Sequence, residues 1–503
     1  VSALATSPRW EEYAEATRGD HFAWWAREHC VQSIDRFAGQ PLVLEDWQQS
    51  IMDEALAELA EDEAYWQTVV VVLPKKNGKT SMLAAYALYS LLENDGAPEI
   101  LLAAATDKQA GRLFDSAVRF VKSAPFLGAR LVIREHEGQV AQVGDFGALY
   151  RLSGDSGAAA GYNPSLVVVD ELAEWNTPRR RRTWADISTA GELTRDAARV
   201  FVISHAGEPQ ERVNGILGQL IDRTEADGEL ERVHRALTVS RDHRSRTIVF
   251  NYDAATQDPH DIDAIRAANP ASWISTDRLV ALSSSPKLTA GRFLQLHGCV
   301  WTSSAGGYLT LEEWRALEQP VRLETGDEIM LGFRGGDAWA LIACRRSDGA
   351  LFTVAAADPE EQAPARDAAQ AALNFATAVY DVAGCFASAS AEWKTIVDGW
   401  RRELGRKRVI DVAVERPGPR TGQITDRFRA DARAGLIRHD GNRQLASAIV
   451  GARLAMVREH SYLVADAQRD TPIAAALAAL LAWEARTVLA AQPVREPGRL
   501  IFS

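Results

Sequence analysis

Four consecutive β-branched residues, Val69 to Val72, run into Leu73-Pro74-Lys75-Lys76-Asn77-Gly78-Lys79-Thr80 and then into the helix-forming stretch Ser81 to Leu88. An uninterrupted β-branched run predicts a parallel strand buried on both faces. Pro74 and Gly78 punctuate a tight loop, and Lys79-Thr80 opens a helix. Strand, loop and helix in that order is the context a phosphate-binding loop requires. The loop N–H groups and the helix N-terminus favour an anion. Lys79 suits the β- and γ-phosphates of ATP, and the Thr80 hydroxyl suits Mg²⁺. Pro74, Lys75, Lys76, Asn77, Gly78, Lys79 and Thr80 are therefore candidate ATP-binding residues. Leu73 occupies the position where such loops usually carry an early glycine, so an ordinary strand-turn-helix is the competing interpretation.

A second apolar strand, Ser165 to Val169, ends in the adjacent carboxylates Asp170 and Glu171. A strand-end Asp beside a phosphate loop can hold Mg²⁺, and the next carboxylate can polarise an attacking water. Glu171 and Lys79 are the candidate catalytic residues on this basis. Further strands are expected at Ile100–Thr106, near Arg130–Ile133, at Ala148–Leu152 and at Arg199–Gly207. The last ends in Ser204 and His205, small and polar groups placed to sense the γ-phosphate and couple its loss to movement. Gln48 precedes the first strand, a place suited to adenine recognition, though on its own it reads as a surface helix residue. Helices between these strands imply a doubly wound, mainly parallel sheet. The run Pro178-Arg179-Arg180-Arg181-Arg182 reads as a solvated loop or as a basic surface facing DNA.

A chain of 503 residues has room for more than one domain. The expected boundaries are an N-terminal helical segment at 1–65 that includes Trp10 and Tyr13, a nucleotide-binding core at 66–207, a helical lid or linker at 208–303, a second α/β domain at 324–490, and a tail at 491–503. The formal net charge of −12 excludes binding nucleic acid by bulk charge, so any DNA contact must be a local basic surface. Cys30, Cys299, Cys344 and Cys385 lack metal-ligand spacing and read as reduced, buried thiols. No leader and no membrane-spanning apolar run is read in the sequence.

In the second half, Glu328–Arg334, Ala338–Cys344 and Leu351–Ala355 read as a three-stranded meander. A helix at 364–376, a short strand near 378–382, a helix at 391–404, a strand at 409–414 and two C-terminal helices follow. Three antiparallel strands and then alternating helix and strand is the order of an RNase H-like α/β domain.

Several of these segments resemble the large terminase subunit of tailed double-stranded DNA phages, of the HK97-like type. They are Ala38-Gly39-Gln40-Pro41 through Trp47-Gln48, Pro74 to Thr80, Ala104 to Ala110, Gly161-Tyr162-Asn163-Pro164 through Asp170-Glu171, and Ile203 to Gly207. Ala268-Asn269-Pro270 and the 288–301 segment match as well, so the resemblance spans nearly the whole chain. Phosphate loops of that family lack the early glycine, and Lys75 stands where relatives often carry Arg. The resemblance implies a P-loop ATPase domain with a helical lid, then an RNase H-like nuclease domain. It also implies ATP and Mg²⁺ as cofactors and double-stranded DNA as the moved substrate. The implied partners are a portal protein and a small terminase subunit, with a pentameric ring during packaging, no membrane, and the host cytoplasm as location.

The nuclease half departs from the family pattern. Such nucleases hold two metal ions with carboxylates at the end of the first strand, near a middle strand and on a late helix. The resemblance places these positions at Arg334, near Ala389, and at Ala474. Their loss implies a nuclease domain without activity, its Mg²⁺ or Mn²⁺ doubtful. Asp337, foremost, and Asp381, Asp440, Asp466 and Asp470 are the acids from which a shifted site would be rebuilt. The alternatives are a packaging ATPase with such a relocated nuclease, and a terminase-derived DNA-binding or scaffolding protein.

Overall fold

The computed structural model describes residues 17–33, 35–57, 65–94, 96–156, 161–192, 194–195, 197–302, 307–357, 365–457, 460–465 and 472–490. Trp10, Tyr13, Asp466, Asp470 and the 491–503 tail lie outside them. The described residues divide between two units, one drawn from 1–207 and 215–304, the other from 208–214 and 305–503.

The first unit is built on ten strands: β1 (Thr68–Val72), β2 (Glu99–Ala104), β3 (Leu131–Arg134), β4 (Gln139–Gln142), β5 (Ala148–Ser153), β6 (Leu166–Asp170), β7 (Arg199–Ser204), β8 (Glu229–His234), β9 (Leu237–Asp242) and β10 (Thr247–Tyr252). They lie in the order β3-β4-β5-β2-β6-β7-β1-β10-β9-β8. The six from β5 to β10 are mutually parallel, and an antiparallel pair closes each edge. β1 is central and fully buried, as its valine run requires. Val69 and Val71 join the core on one face, with the helices Arg18–His29, Lys79–Glu93 and Asp107–Ser123. Val70 and Val72 join the core on the other face, with the helix Ile216–Asp227. Each buried valine contributes up to about 1.5–2 kcal/mol, which is why no polar residue interrupts the run.

Two expectations need correction here. The region 208–303 is not a helical lid alone, because it supplies β8, β9 and β10, and β10 pairs in parallel with β1 over five positions. The run Arg179–Arg182 is not a loop. It lies in the first turns of the helix Pro178–Thr189, where the Thr177 side chain accepts the Arg180 N–H and Pro178 sits in the first turn.

The second unit holds a six-stranded sheet: β11 (Glu328–Gly335), β12 (Trp339–Arg345), β13 (Ala350–Ala357), β14 (Asp381–Ala389), β15 (Val409–Asp411) and β16 (Arg438–His439), in the order β15-β14-β11-β12-β13-β16. β11, β12 and β13 form the antiparallel meander, while β14 and β15 run parallel to β11. The strand expected near 378–382 is therefore longer and later. The helix Ala365–Val379 takes the first two residues of that stretch, β14 starts only at Asp381, and the buried run Gly384 to Ser388 pairs with β11. A hairpin, β17 (Arg453–Val457) with β18 (His460–Val464), precedes the last helix, Ala474–Ala490. That helix lies directly on β11: a Cβ placed at Gly332 would fall 2.0 Å from the Ala478 carbonyl oxygen and 2.3 Å from the Ala482 nitrogen. No helix among the described residues is long and apolar enough to cross a membrane.

Candidate active site at the carboxyl end of the parallel strands

Side chains at the carboxyl ends of β1, β6 and β7 converge because the three strands are parallel neighbours, with β7 between the other two. In open α/β sheets this end is where ligands bind. After β1 the chain turns through Lys76 at φ +74° and Gly78 at φ +86° before entering the helix Lys79–Glu93. A left-handed conformation at Lys76 costs energy, and the surrounding hydrogen bonds hold it in place.

The Lys79 ammonium is buried and donates to the Leu73 and Pro74 carbonyls, so the cradle is folded on its own cation. Burial pulls its pKa down, against the pull of Glu171 upward. Asn77 is fully buried. It donates to Pro74 O (3.1 Å) and Asn269 Oδ1 (2.9 Å), and its own Oδ1 accepts the Ala271 N–H (3.2 Å). The Trp273 indole N–H donates to Lys76 O (2.8 Å), and the ring lies over Gly78. Gln48 is buried beside the same glycine, its Nε2 3.3 Å from where a Gly78 Cβ would be. A side chain at position 78 would therefore meet Trp273 and Gln48 as well as an unfavourable φ. Asn269 and Trp273 were not singled out as site residues. The Ala268-Asn269-Pro270 motif marked their segment, but nothing local ties Trp273 to a loop almost 200 positions earlier.

β6 ends at Asp170, and Glu171 follows at φ +53° with its N–H bonded to Ile203 O (2.7 Å). The Glu171 carboxylate is engaged on both oxygens. Oε2 accepts the His205 backbone N–H (3.2 Å) and the His205 ring Nδ1, and Oε1 lies 3.9 Å from the Lys75 ammonium. Burial pushes the Glu171 pKa up, but His205, Lys79 and Lys75 together outweigh it and hold the group ionised. Burial, foremost, lowers the His205 pKa, against the upward pull of the Glu171 carboxylate. Ser204 Oγ accepts the Ala173 N–H (3.2 Å) and donates to His205 O (3.0 Å), while Ser204 O accepts the Leu73 N–H (3.1 Å). Ser204 and His205 thus join the phosphate loop to Glu171 through hydrogen bonds.

Asp170 is raised, first by burial and then by the neighbouring Glu171 charge. The two adjacent carboxylates, Asp170 and Glu171, lie in the field of the two cations Lys79 and Lys75. A carboxylate with the Thr80 hydroxyl is an oxygen donor set, which suits a hard divalent ion such as Mg²⁺.

Residues 62–214 match the family model for the ATPase domain of the terminase large subunit. In that stretch the chain is similar to a terminase ATPase domain. The Gene 13 protein of Mycobacterium phage L5 is 25% identical to it over 266 residues, and that of phage D29 is 26% identical over 265. Each match covers 47% of this chain and 44% of the relative, so it spans less than half the length of either. The crystal structure of the HK97 bacteriophage large terminase shares the fold, with a TM-score of 0.51 and 17% identity over 93% of this chain and all of that one.

In the second unit, the positions that the resemblance gives for metal ligands come together, with one correction. Met330 packs in the cluster that includes the helix Ala474–Ala490, so Gly332 and Arg334, two and four residues on, face that helix. The helix runs antiparallel to β11, since Arg486 donates to Arg346 O and Arg346 N–H to Glu328 O at the start of the strand. Its first residue, Ala474, is therefore at the Arg334 end. Ala389 is not. It packs with the opposite face of the sheet, beside Ala387 and Trp393. The residue of β14 that pairs with Arg334 and shares its face is Ser388. Strand alternation places the second position there, one residue earlier than the sequence alignment implies.

Ser388 is buried and donates from Oγ to Glu415, whose Oε2 also accepts the Val414 N–H (3.2 Å). Burial raises the Glu415 pKa, but the Ser388 hydrogen bond and the nearby Arg334 charge bring it below the ordinary range. Glu415 was missed because it lies beyond β15, outside any pattern in the flanking sequence. Asp337 is exposed on the turn after β11. Asp381 is at the opposite, amino end of β14, so it does not join this cluster. Among the described residues no group of three His, Cys, Asp or Glu could hold a metal ion.

Proposed function

We propose that this chain is an ATP-driven DNA-packaging motor subunit, a terminase large subunit moving double-stranded DNA into a procapsid, with a nuclease-fold domain that does not cut. The observation that carries the reading is the meeting of Lys79, Asp170, Glu171 and His205 at the ends of three adjacent parallel strands. Lys79 leaves the Leu73 and Pro74 carbonyls to contact the β- and γ-phosphates, and the N–H groups from Lys76 to Thr80 cradle them. Gln48 touches adenine. Thr80 and Asp170 would hold Mg²⁺, which when bound would supply positive charge beside the phosphates. Glu171, kept ionised, orients the attacking water once His205 and Lys75 release one of its oxygens. Ser204 and His205 report the change to β7 and the loop.

The second unit supports a silent nuclease because Arg334 places a fixed cation where carboxylates would have to gather metals. The partners of this reading are duplex DNA, a portal protein, a small terminase subunit and further copies of the chain in a ring, acting in the host cytoplasm. The deciding experiment measures ATP hydrolysis with and without duplex DNA, alongside a plasmid-nicking assay in Mn²⁺ on the same preparation. DNA-stimulated hydrolysis without nicking is expected. Absence of ATP hydrolysis in the presence of DNA would defeat the reading.

A further inference from the structure

The cluster Arg334, Ser388 and Glu415 lies at the carboxyl ends of the three parallel strands β11, β14 and β15. We infer that it is a metal-free binding site for a DNA backbone phosphate, in which the Arg334 guanidinium takes the place of a divalent cation. The inference rests on duplex DNA being the partner, and goes beyond it by assigning the contact.

Four observations carry it. First, Arg334 is half-buried at a strand end, and its guanidinium lies over the Gly335-Gly336 turn, with Nη1 donating to Gly335 O. A guanidinium has five N–H donors in a planar fork that fits two phosphate oxygens, and it stays charged at any ordinary pH. One bond to a carbonyl leaves that fork room for a ligand. Second, Glu415, the carboxylate on which the Arg334 charge acts, is already engaged. Glu415 accepts from Ser388 Oγ and the Val414 N–H, so it holds Arg334 electrostatically from one side without occupying the fork. Third, the residue facing Arg334 from the last helix is Ala474, a methyl group at the first turn of a 17-residue helix. That turn offers backbone N–H groups and the positive end of the helix dipole, where a carboxylate would have repelled a phosphate. Fourth, Arg416 follows Glu415 in the same strand-end loop and is exposed, which adds a second cation at that end. Asp337 opposes these charges from the solvent side of the turn.

The site answers a chemical difficulty. A two-metal centre approaches a phosphodiester through cations and then activates water on it. A fixed guanidinium supplies the first function without the second, so the DNA is held and not cut.

The test uses the full chain, a labelled duplex of about 30 base pairs and fluorescence anisotropy in EDTA, without nucleotide. Arg334→Ala should weaken binding roughly five-fold at about 0.1 M salt and lower the salt slope by about one phosphate contact. Arg334→Lys keeps the charge and should fall between Ala and the parent. Gly336→Ala should move affinity in the same direction as Arg334→Ala, because the new Cβ would lie 2.9–3.1 Å from the guanidinium atoms. Asp337→Asn should tighten binding. ATP hydrolysis without DNA should be unchanged in all four, which separates failure here from failure of the motor reading. Equal affinity and slope in Arg334→Ala and the parent would overturn the inference. So would parental binding that is lost in EDTA and restored by Mn²⁺, or Mn²⁺-dependent nicking that disappears in Asp337→Asn.

Discussion

The His205 ring donates to the Glu171 carboxylate, and the two residues belong to neighbouring strands whose ends flank the phosphate loop. Glu171 reaches this partner from a left-handed backbone conformation, an uncommon state for a non-glycine residue. The strand end is thus set by a side-chain contact.

Replacing the carboxylate isolates its role. Glu171→Ala should bind ATP close to normally and lose turnover by at least about 100-fold, since the water loses its base while the cradle survives. Lys79→Ala should weaken binding and turnover together. Nucleotide titration and steady-state hydrolysis on the same samples check this, and sustained hydrolysis by a clean Glu171→Ala preparation would contradict the assignment.

The four arginines of the helix Pro178–Thr189 are not equivalent. Arg180 forms a two-point pair with Asp155 (2.8 and 2.9 Å) and donates to Glu174 O (3.1 Å), so it is structural. Arg179, Arg181 and Arg182 are exposed. Changing these three to Ser should lower DNA affinity and flatten its salt dependence by up to about three contacts, with folding intact. Unchanged affinity and unchanged DNA-stimulated hydrolysis would make them a solvated helix face.

Restoring a metal centre requires the corrected position. Arg334→Asp with Ser388→Asp and Ala474→Asp should bind Mn²⁺ measurably by calorimetry. The same triple carrying Ala389→Asp in place of Ser388→Asp should not, because Ala389 faces the other side of the sheet. Equal Mn²⁺ binding by both would reject the strand alternation assigned to β14.

Gly332 is a close-approach glycine. Gly332→Ala places a methyl group against backbone atoms of the helix Ala474–Ala490, which cannot rotate away. A loss of about 1–3 kcal/mol, read from chemical denaturation of the second unit, is expected. A neutral result would mean that the helix slides on β11 at little cost.

His29 gives a pH signature at the end of the helix Arg18–His29. Its ring stacks on Phe126 at 3.7 Å, and burial, foremost, lowers its pKa from 6.5 to about 4. The unfolded chain then takes up a proton before the folded one does. The stability His29 allows is full above about pH 6.5 and is lost as pH falls toward about 4. Protection factors in that helix, taken relative to the unfolded-chain exchange rate at each pH, should fall as pH falls through this window, and His29→Gln should flatten the response.

The nucleotide site was readable because its parts are local. Val69–Val72, the Gly78-Lys79-Thr80 turn and the Asp170-Glu171 strand end each carry their signal within a few residues. β8 gave none, since all six of its residues are exposed and polar and apolar side chains mix without alternation. β10 lies in the stretch read as a helical lid, and its pairing with β1 is what makes it part of the core. Ser388 against Ala389 depends on sheet pleat, which turns on a single residue of register. Glu415 and Trp273 depend on loops that fold back over distance, which no periodicity encodes.

The pairing of β10 with β1 constrains how this chain can be shortened. A fragment ending at residue 207 would keep every nucleotide-binding residue named above, yet it would leave Thr68–Val72 with one open side. A bare valine ladder is a template for another chain's strand. Such a fragment should be isolated as aggregates, and soluble pieces for biochemistry should extend past Tyr252.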